Sequence, residues 1–226
     1  MKAVVLAAGQ GVRMLPLTKE KPKALVELKG KPLLQHVLES LEKAGVKKAI
    51  IVVGFKGELV RAHFGKAFKG MKLRYVEQRI PMGTAHAVLQ AKGKTGKRFL
   101  VAYCDVIVNS GLWKKLMKED KEAVVALREE AHPERFGVAL VEGKLLRQIV
   151  EKPKKKMKSN LVNLGACLFS NSLFPVLEKT KMSKRGEFEL TDSINALAAK
   201  DKVGFAVYRG KCLDIGTIKD LRKCER

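Results

Sequence analysis

The chain has no run near the roughly 18 uninterrupted apolar residues that a membrane span needs. Its N-terminus has one Lys and a short apolar stretch before Gly9, with Gln10 and Arg13 close behind. That stretch is shorter than a secretory signal and reads as a first strand, so a cytoplasmic protein without a membrane partner is expected. Cysteines are few: Cys104, Cys167, Cys212 and Cys224 lie far apart, with no Cys-x-x-Cys pair. This argues against a zinc cluster or a disulfide framework and for buried thiols, with Cys224 near the terminus as the one expected to be exposed. Aromatics make up only 6%, and the three tyrosines and single Trp are dispersed. Acidic residues are scarce beside basic ones, 23 against 46, for a net charge of +23. Such an excess suits nucleic acid, an anionic membrane or polyanionic small molecules. The densest cationic run, Lys152 to Lys158, has no interleaved aromatic on which a base could stack, so it reads as solvated basic surface and no nucleic-acid partner is expected.

The common phosphate loops are missing as well. No Gly-x-x-x-x-Gly-Lys-Ser/Thr spacing occurs, and Gly9 and Gly11 lack the third glycine of the dinucleotide fingerprint. What stands there instead is informative. An apolar run (Ala3, Val4, Val5, Leu6) reads as a buried strand. It feeds Gly9, Gly11, Arg13, Lys21 and Lys23 within fifteen residues. Glycine lets successive N–H groups converge on an anion, and Arg and Lys add the charge that a polyphosphate needs. A strand followed by a flexible cationic loop is a place to hold a nucleoside triphosphate.

At 226 residues and 46% hydrophobic, the chain can build one large domain. Apolar residues at helical spacing (33–41, 58–64, 83–92, 112–117) alternate with short apolar runs (49–53, 73–76, 99–102, 123–127). This alternation predicts an α/β fold: a Rossmann-like mixed, mainly parallel sheet with helices on both faces. After about residue 130 the rhythm changes to a hairpin (138–141 and 145–150), a strand (161–169), a helix (190–200), a strand (203–208) and a final helix from Ile218. No repeat or linker divides the chain. In open α/β sheets ligands sit beyond the carboxyl ends of the strands. The glycine loop, Gly83-Thr84-Ala85-His86 and Asp105 all occupy such positions.

These residues belong to a longer series. Leu6-Ala-Ala-Gly-Gln-Gly-Val-Arg-Met and Pro22-Lys23 are followed by Glu77-Gln78, Gly83-Thr84-Ala85-His86-Ala87 and Asp105. Phe136-Gly137-Val138, Glu151-Lys152-Pro153, Asn163-Leu164-Gly165, the run from Gly186 to Asp192 and Asp214-Ile215-Gly216-Thr217 come after. In this order they resemble the sugar-1-phosphate nucleotidylyltransferases over nearly the whole chain. Cys212, two residues before Asp214, and Cys104, directly before Asp105, depart from the family pattern, which has an aromatic and a Gly there.

The resemblance implies one domain, with residues 1–130 forming a nucleotide-binding portion and 131–226 a sugar-phosphate-binding portion, and with no β-helix domain after them. It implies transfer of a nucleotidyl group from UTP or dTTP to a hexose 1-phosphate, releasing pyrophosphate. A guanylyltransferase on mannose 1-phosphate and a non-catalytic nucleotide-sensing or assembly subunit stand as alternatives, and a homo-oligomer is compatible. By resemblance Arg13 and Lys23 face the triphosphate, while Leu6, Ala8, Gly9 and Gly11 shape the nucleotide cradle. Gln78, Gly83 and Thr84 read the base. Gly137, Glu151, Lys152 and Asn163 take the sugar phosphate, and Asp105 and Asp214 hold Mg²⁺, a hard cation suited to carboxylate oxygens. Lys152 otherwise reads as one of a solvated lysine cluster, Glu189 as a first-turn carboxylate of its own helix, and His86 as a residue that packs or positions the helix after Gly83.

Overall fold

A computed structural model describes residues 1–225. The N-terminal half runs β1 (Lys2–Ala7), β2 (Glu27–Leu28), β3 (Lys31–Pro32), α1 (Leu33–Lys43), β4 (Lys48–Val53), α2 (Gly57–Phe64), β5 (Ala67–Phe68), β6 (Met71–Glu77), α3 (Thr84–Leu89), β7 (Arg98–Tyr103), β8 (Val106–Val108), α4 (Ser110–Lys118) and β9 (Ala123–Glu129). The rest runs β10 (Gly137–Glu142), β11 (Leu145–Glu151), β12 (Leu161–Ser170), α5 (Leu173–Lys179), α6 (Leu190–Ala198), β13 (Val203–Val207), β14 (Cys212–Asp214) and α7 (Ile218–Glu225).

Ten strands form one sheet in the order β10-β11-β13-β9-β12-β7-β1-β4-β6-β5. The expectation of a mainly parallel sheet is corrected: the sheet is mixed. Parallel pairing joins β7, β1, β4 and β6, and also β9 with β13. β12 enters the middle antiparallel to both β7 and β9, and the β10–β11 hairpin caps one edge. The reason is physical. A strand buried on both faces is an apolar run whichever way it points, so 161–169 carries no sign of its direction.

Alternate residues of β1 supply the two faces. Ala3, Val5 and Ala7 pack with α1 and α4 through Leu34, Val37, Leu38, Leu41 and Trp113. Val4 and Leu6 pack with α3, α5 and α6 through Val88, Leu173, Phe174 and Ile194. That period of two is the strand geometry itself. Helix α3 is shorter than expected: beyond Leu89 the N–H groups of Ala91 and Lys92 bond three residues back, a tightening into turns. Helix α5 is not among the helices expected from the sequence; its Pro175 sits in the first turn, where no N–H donor is needed. A third apolar cluster (Met14, Val26, Leu28, Leu33, Ile215, Leu221) ties the N-terminal loop to the C-terminal segment. Among the described residues, no helix is long and apolar enough to cross a membrane.

Candidate active site

The parallel strands set the stage. Their register aligns the ends of β1, β4, β6 and β7, with Leu6 opposite Tyr103 and Val53 opposite Glu77. The loop after β1, Gln78 and Asp105 therefore leave the sheet at one edge. Strand β1 lies between β4 and β7, so successive connections depart in opposite directions and open a crevice there.

A cavity of about 650 Å³ occupies this edge and continues over the antiparallel half. It brings together Arg13, Thr84, Asp105, Gly137, Glu151, Lys152, Asn163 and Asp214. Leu6, Ala8, Gly9, Gly11, Lys23, Gln78 and Gly83 lie outside its lining. Leu6 and Ala8 are buried in the core, and Gly9 is exposed on the loop. Lys23 is 8% exposed and reaches the cavity only through an ion pair between its Nζ and Asp105.

Asp105 and Asp214 come from chain segments more than a hundred residues apart. The β8–β14 pairing sets Val106 opposite Asp214, and the Ile215 N–H donates to the Asp105 carbonyl at 3.0 Å. Burial, and then the Asp105 charge, push the Asp214 carboxyl up to about 6, against the pull of Lys23 and Arg128. Among the described residues Asp105 is ion-paired with Lys23, while Asp214 has no cation within ion-pair distance. Their hard oxygens facing an open cavity fit Mg²⁺, which takes one or two carboxylates with phosphate oxygens and water. Among the described residues no group of three or more His, Cys, Asp or Glu could hold a metal, so a divalent ion here would need oxygen ligands besides these two carboxylates.

The other end is lined by side chains. The Glu151 carboxyl is raised by burial, opposed by Arg185 and Lys152. It packs so closely on Gly137 that a Cβ there would stand 2.8 Å from Glu151 Oε2. Asn163 Oδ1 accepts from the Gly165 N–H at 2.9 Å, which leaves its amide hydrogens free. Lys152 lines the cavity whereas Lys154, Lys155, Lys156 and Lys158 do not, which separates it from the lysine cluster.

Thr84 and Gly83 do a structural task. Thr84 Oγ1 accepts from the Leu190 N–H at 2.9 Å, and the Ala85 N–H donates to Phe188 O at 2.9 Å. Gly83 has φ +100°, and a Cβ on it would sit 2.5 Å from Phe188 O, so only glycine fits. Gln78 is 5% exposed, with Nε2 2.9 Å from Gly83 O and 3.0 Å from His86 Nδ1.

Several cavity residues escaped the sequence reading. Arg185 donates from Nε to Glu189 Oε1 at 2.8 Å, beside Glu151. Glu189, which also accepts from Ser183 at 2.8 Å, is buried as the anchor of that arginine. Arg128 lies over the Phe136 ring at 5.2 Å with Nη2 2.8 Å from Glu130, and its Nε is buried without a partner. A cation ending the apolar run 123–127 was the signal available for Arg128. Tyr103, at the end of β7, has its phenol raised by burial. Cys104 turns into the core, where burial and Asp105 push its thiol up to about 12, so it adds no bulk to the cavity. Cys167 is buried as well, Cys212 and Cys224 are half-buried, and both of these line the cavity.

The nucleotidyl transferase family model matches residues 2–226. The chain is 37% identical over 219 residues to the bifunctional protein GlmU of Methanococcus maripaludis, covering 96% of this chain and 51% of that protein. It thus spans about half the length of these curated relatives. It is 35% identical to the UTP–glucose-1-phosphate uridylyltransferase AglF of Haloferax volcanii, covering 100% of this chain and 96% of that one. Among solved structures, a provisionally named glucose-1-phosphate thymidylyltransferase from Bacillus anthracis superposes with a TM-score of 0.89 at 28% identity, covering 100% and 94% of the two chains. A UDP-glucose pyrophosphorylase in complex with UDP-glucose gives 0.88 at 25%, covering 99% and 96%.

Proposed function

The chain belongs to the nucleotidyl transferase family, and we propose that it transfers a uridylyl or thymidylyl group from UTP or dTTP to a hexose 1-phosphate, releasing pyrophosphate. The observation that carries this reading is the meeting, in one cavity, of Arg13 from the N-terminal loop, the Asp105–Asp214 pair and the polar side chains of Glu151, Lys152 and Asn163. The names of three proteins it is similar to, a UTP–glucose-1-phosphate uridylyltransferase, a glucose-1-phosphate thymidylyltransferase and a UDP-glucose pyrophosphorylase, favour the pyrimidine.

The reaction joins two anions, so the chain must place them and offset their charge; no protein nucleophile is required. Arg13, exposed on the loop and lining the cavity, would meet the triphosphate and the departing pyrophosphate. Lys23 pins Asp105 and would carry positive charge towards the reacting phosphates. Asp105 and Asp214 would hold Mg²⁺, which when bound supplies charge neutralisation at the phosphate oxygens. Lys152 would grip the phosphate of the sugar, while Glu151 and the Asn163 amide would accept from and donate to its hydroxyls, with the Gly137 amide nearby. The sugar phosphate oxygen then attacks the α-phosphorus, the bond to the β-phosphate oxygen breaks, and pyrophosphate leaves.

The test is a panel of UTP, dTTP, GTP and CTP crossed with hexose 1-phosphates, scored by pyrophosphate release. We expect turnover with UTP or dTTP and at least one hexose 1-phosphate. Release with GTP and mannose 1-phosphate alone would replace the reading with a guanylyl transfer, and no release with any pair would sink it.

A further inference from the structure

Gln78 carries an amide whose orientation the fold decides. It follows β6, its N–H donates to Val53 O at 2.8 Å, and its side chain is enclosed. An amide nitrogen has two hydrogens to give and an amide oxygen can only accept. Gly83 O, 2.9 Å away, is an acceptor, so the nitrogen must face it. The second hydrogen points to His86 Nδ1 at 3.0 Å, which requires that ring nitrogen to be bare and the proton to sit on Nε2. At Nε2 the neighbour is the Gln90 amide, 3.1 Å away. Gln90 Nε2 also donates to His86 O at 3.1 Å, so its oxygen cannot simply take the nitrogen's place; being half-buried, this side chain can instead swing out to water and leave Nε2–H to solvent. Gln78 has no such freedom.

The consequence lies on the other side of the amide. No described protein group donates to Gln78 Oε1, and the only buried unpartnered side-chain atom among the described residues is Arg128 Nε. Gln78 Oε1 therefore keeps a small exposed face at the strand edge where the nucleotide loop leaves the sheet, beside the cavity and outside its lining. It presents an acceptor and nothing else.

We propose that His86 is a positioning residue that sets nucleobase choice: by holding Gln78 Nε2 inward it leaves Oε1 to meet a base that offers an imide N–H. Uracil and thymine offer one at N3; cytosine has a bare ring nitrogen there and is rejected, since acceptor would face acceptor. This rests on the reading of Gln78 as the base-facing residue.

The experiment compares wild type, His86→Leu, His86→Asn and Gln78→Leu, measuring kcat/KM for UTP and for CTP with one hexose 1-phosphate. Asn can place its Oδ1 where Nδ1 stands and accept in its stead. Loss of one such hydrogen bond predicts about a tenfold fall in the UTP-to-CTP ratio for His86→Leu, with His86→Asn restoring it. A purely packing role would lower both substrates together and leave the ratio alone. An unchanged ratio in His86→Leu, or an equal fall in His86→Asn, overturns the proposal. If Gln78→Leu leaves the KM for UTP as in wild type, the base-facing role of Gln78 falls instead. Should His86→Leu fail to fold, ¹⁵N-histidine NMR of the wild-type protein decides: the Nε2–H form is expected, and an Nδ1–H form refutes the inference.

Discussion

The two flanks of the cavity are made of different materials. On the flank of β1, β4 and β6 the chain sets Arg13 of the N-terminal loop in the wall, while Ala8 and Gln78 are buried and Gly9 lies bare on its loop, all three outside the lining. On the flank of β10, β11 and β12 it offers charged side chains, with Glu151, Lys152 and Arg185 in the cavity wall. The first flank inherits its shape from parallel strands ending together, so position along the strand is enough to place a residue. The second depends on side chains that hold each other, as Arg185 does Glu189 and Glu151. Between them stand the two aspartates, joined by a short strand pair and one ammonium.

The sharpest way to break this division is at the junction. Asp105→Asn removes the carboxylate charge with little change in volume. Turnover should fall about 10³-fold while the melting temperature stays within a few degrees; near-normal pyrophosphate release would remove Asp105 from the chemistry. Next in size is Gly83→Ala, which drives a Cβ toward Phe188 O and forces a side chain into φ +100°. It should cost roughly 2–3 kcal/mol in urea unfolding. A loss within error would mean that the Gly83–Phe188 contact does not join the flanks.

Lys152→Gln tests the side-chain flank alone. The KM for sugar phosphate should rise about tenfold while that for nucleotide stays put, and Lys154→Gln should change neither. Equal behaviour of the two variants would return Lys152 to the solvated cluster. The smallest effect expected lies outside both flanks. Burial raises the Glu39 carboxyl, but hydrogen bonds from Gln35, Lys69 and Lys31 outweigh it and hold the carboxyl at about 2 instead of 4.5. Its contribution is thus present above pH 4.5 and lost as pH falls towards 2. Glu39→Gln should lower stability at neutral pH by about 1 kcal/mol or less and flatten that acid limb; parallel stability curves for the two proteins would contradict it.

Legibility followed the same division. The places of Arg13 and Asp105 at the cavity could be read from their position after apolar runs, because ligands in open α/β sheets sit beyond the carboxyl ends of the strands. Strand direction in 161–169 could not, since burial on both faces erases the alternation that would show a sheet's sides. Arg185 went unread because its position depends on Glu189, four residues on, being buried rather than solvated. His86 showed as a residue that packs or positions the helix after Gly83; its tie to Gln78 crosses a turn whose shape only Gly83 and Phe188 decide.

From its residue order alone, this protein had its strands and most of its helices, its cationic loop and its family, since periodicity and spacing are local properties of a chain. The tertiary structure decided which side chains share the cavity. It set Asp214 beside Asp105, took Lys23 out of solvent to pair with it, and turned the amide of Gln78. Those outcomes depend on where distant segments come to rest, and burial, pairing and hydrogen-bond direction take effect only once they have met.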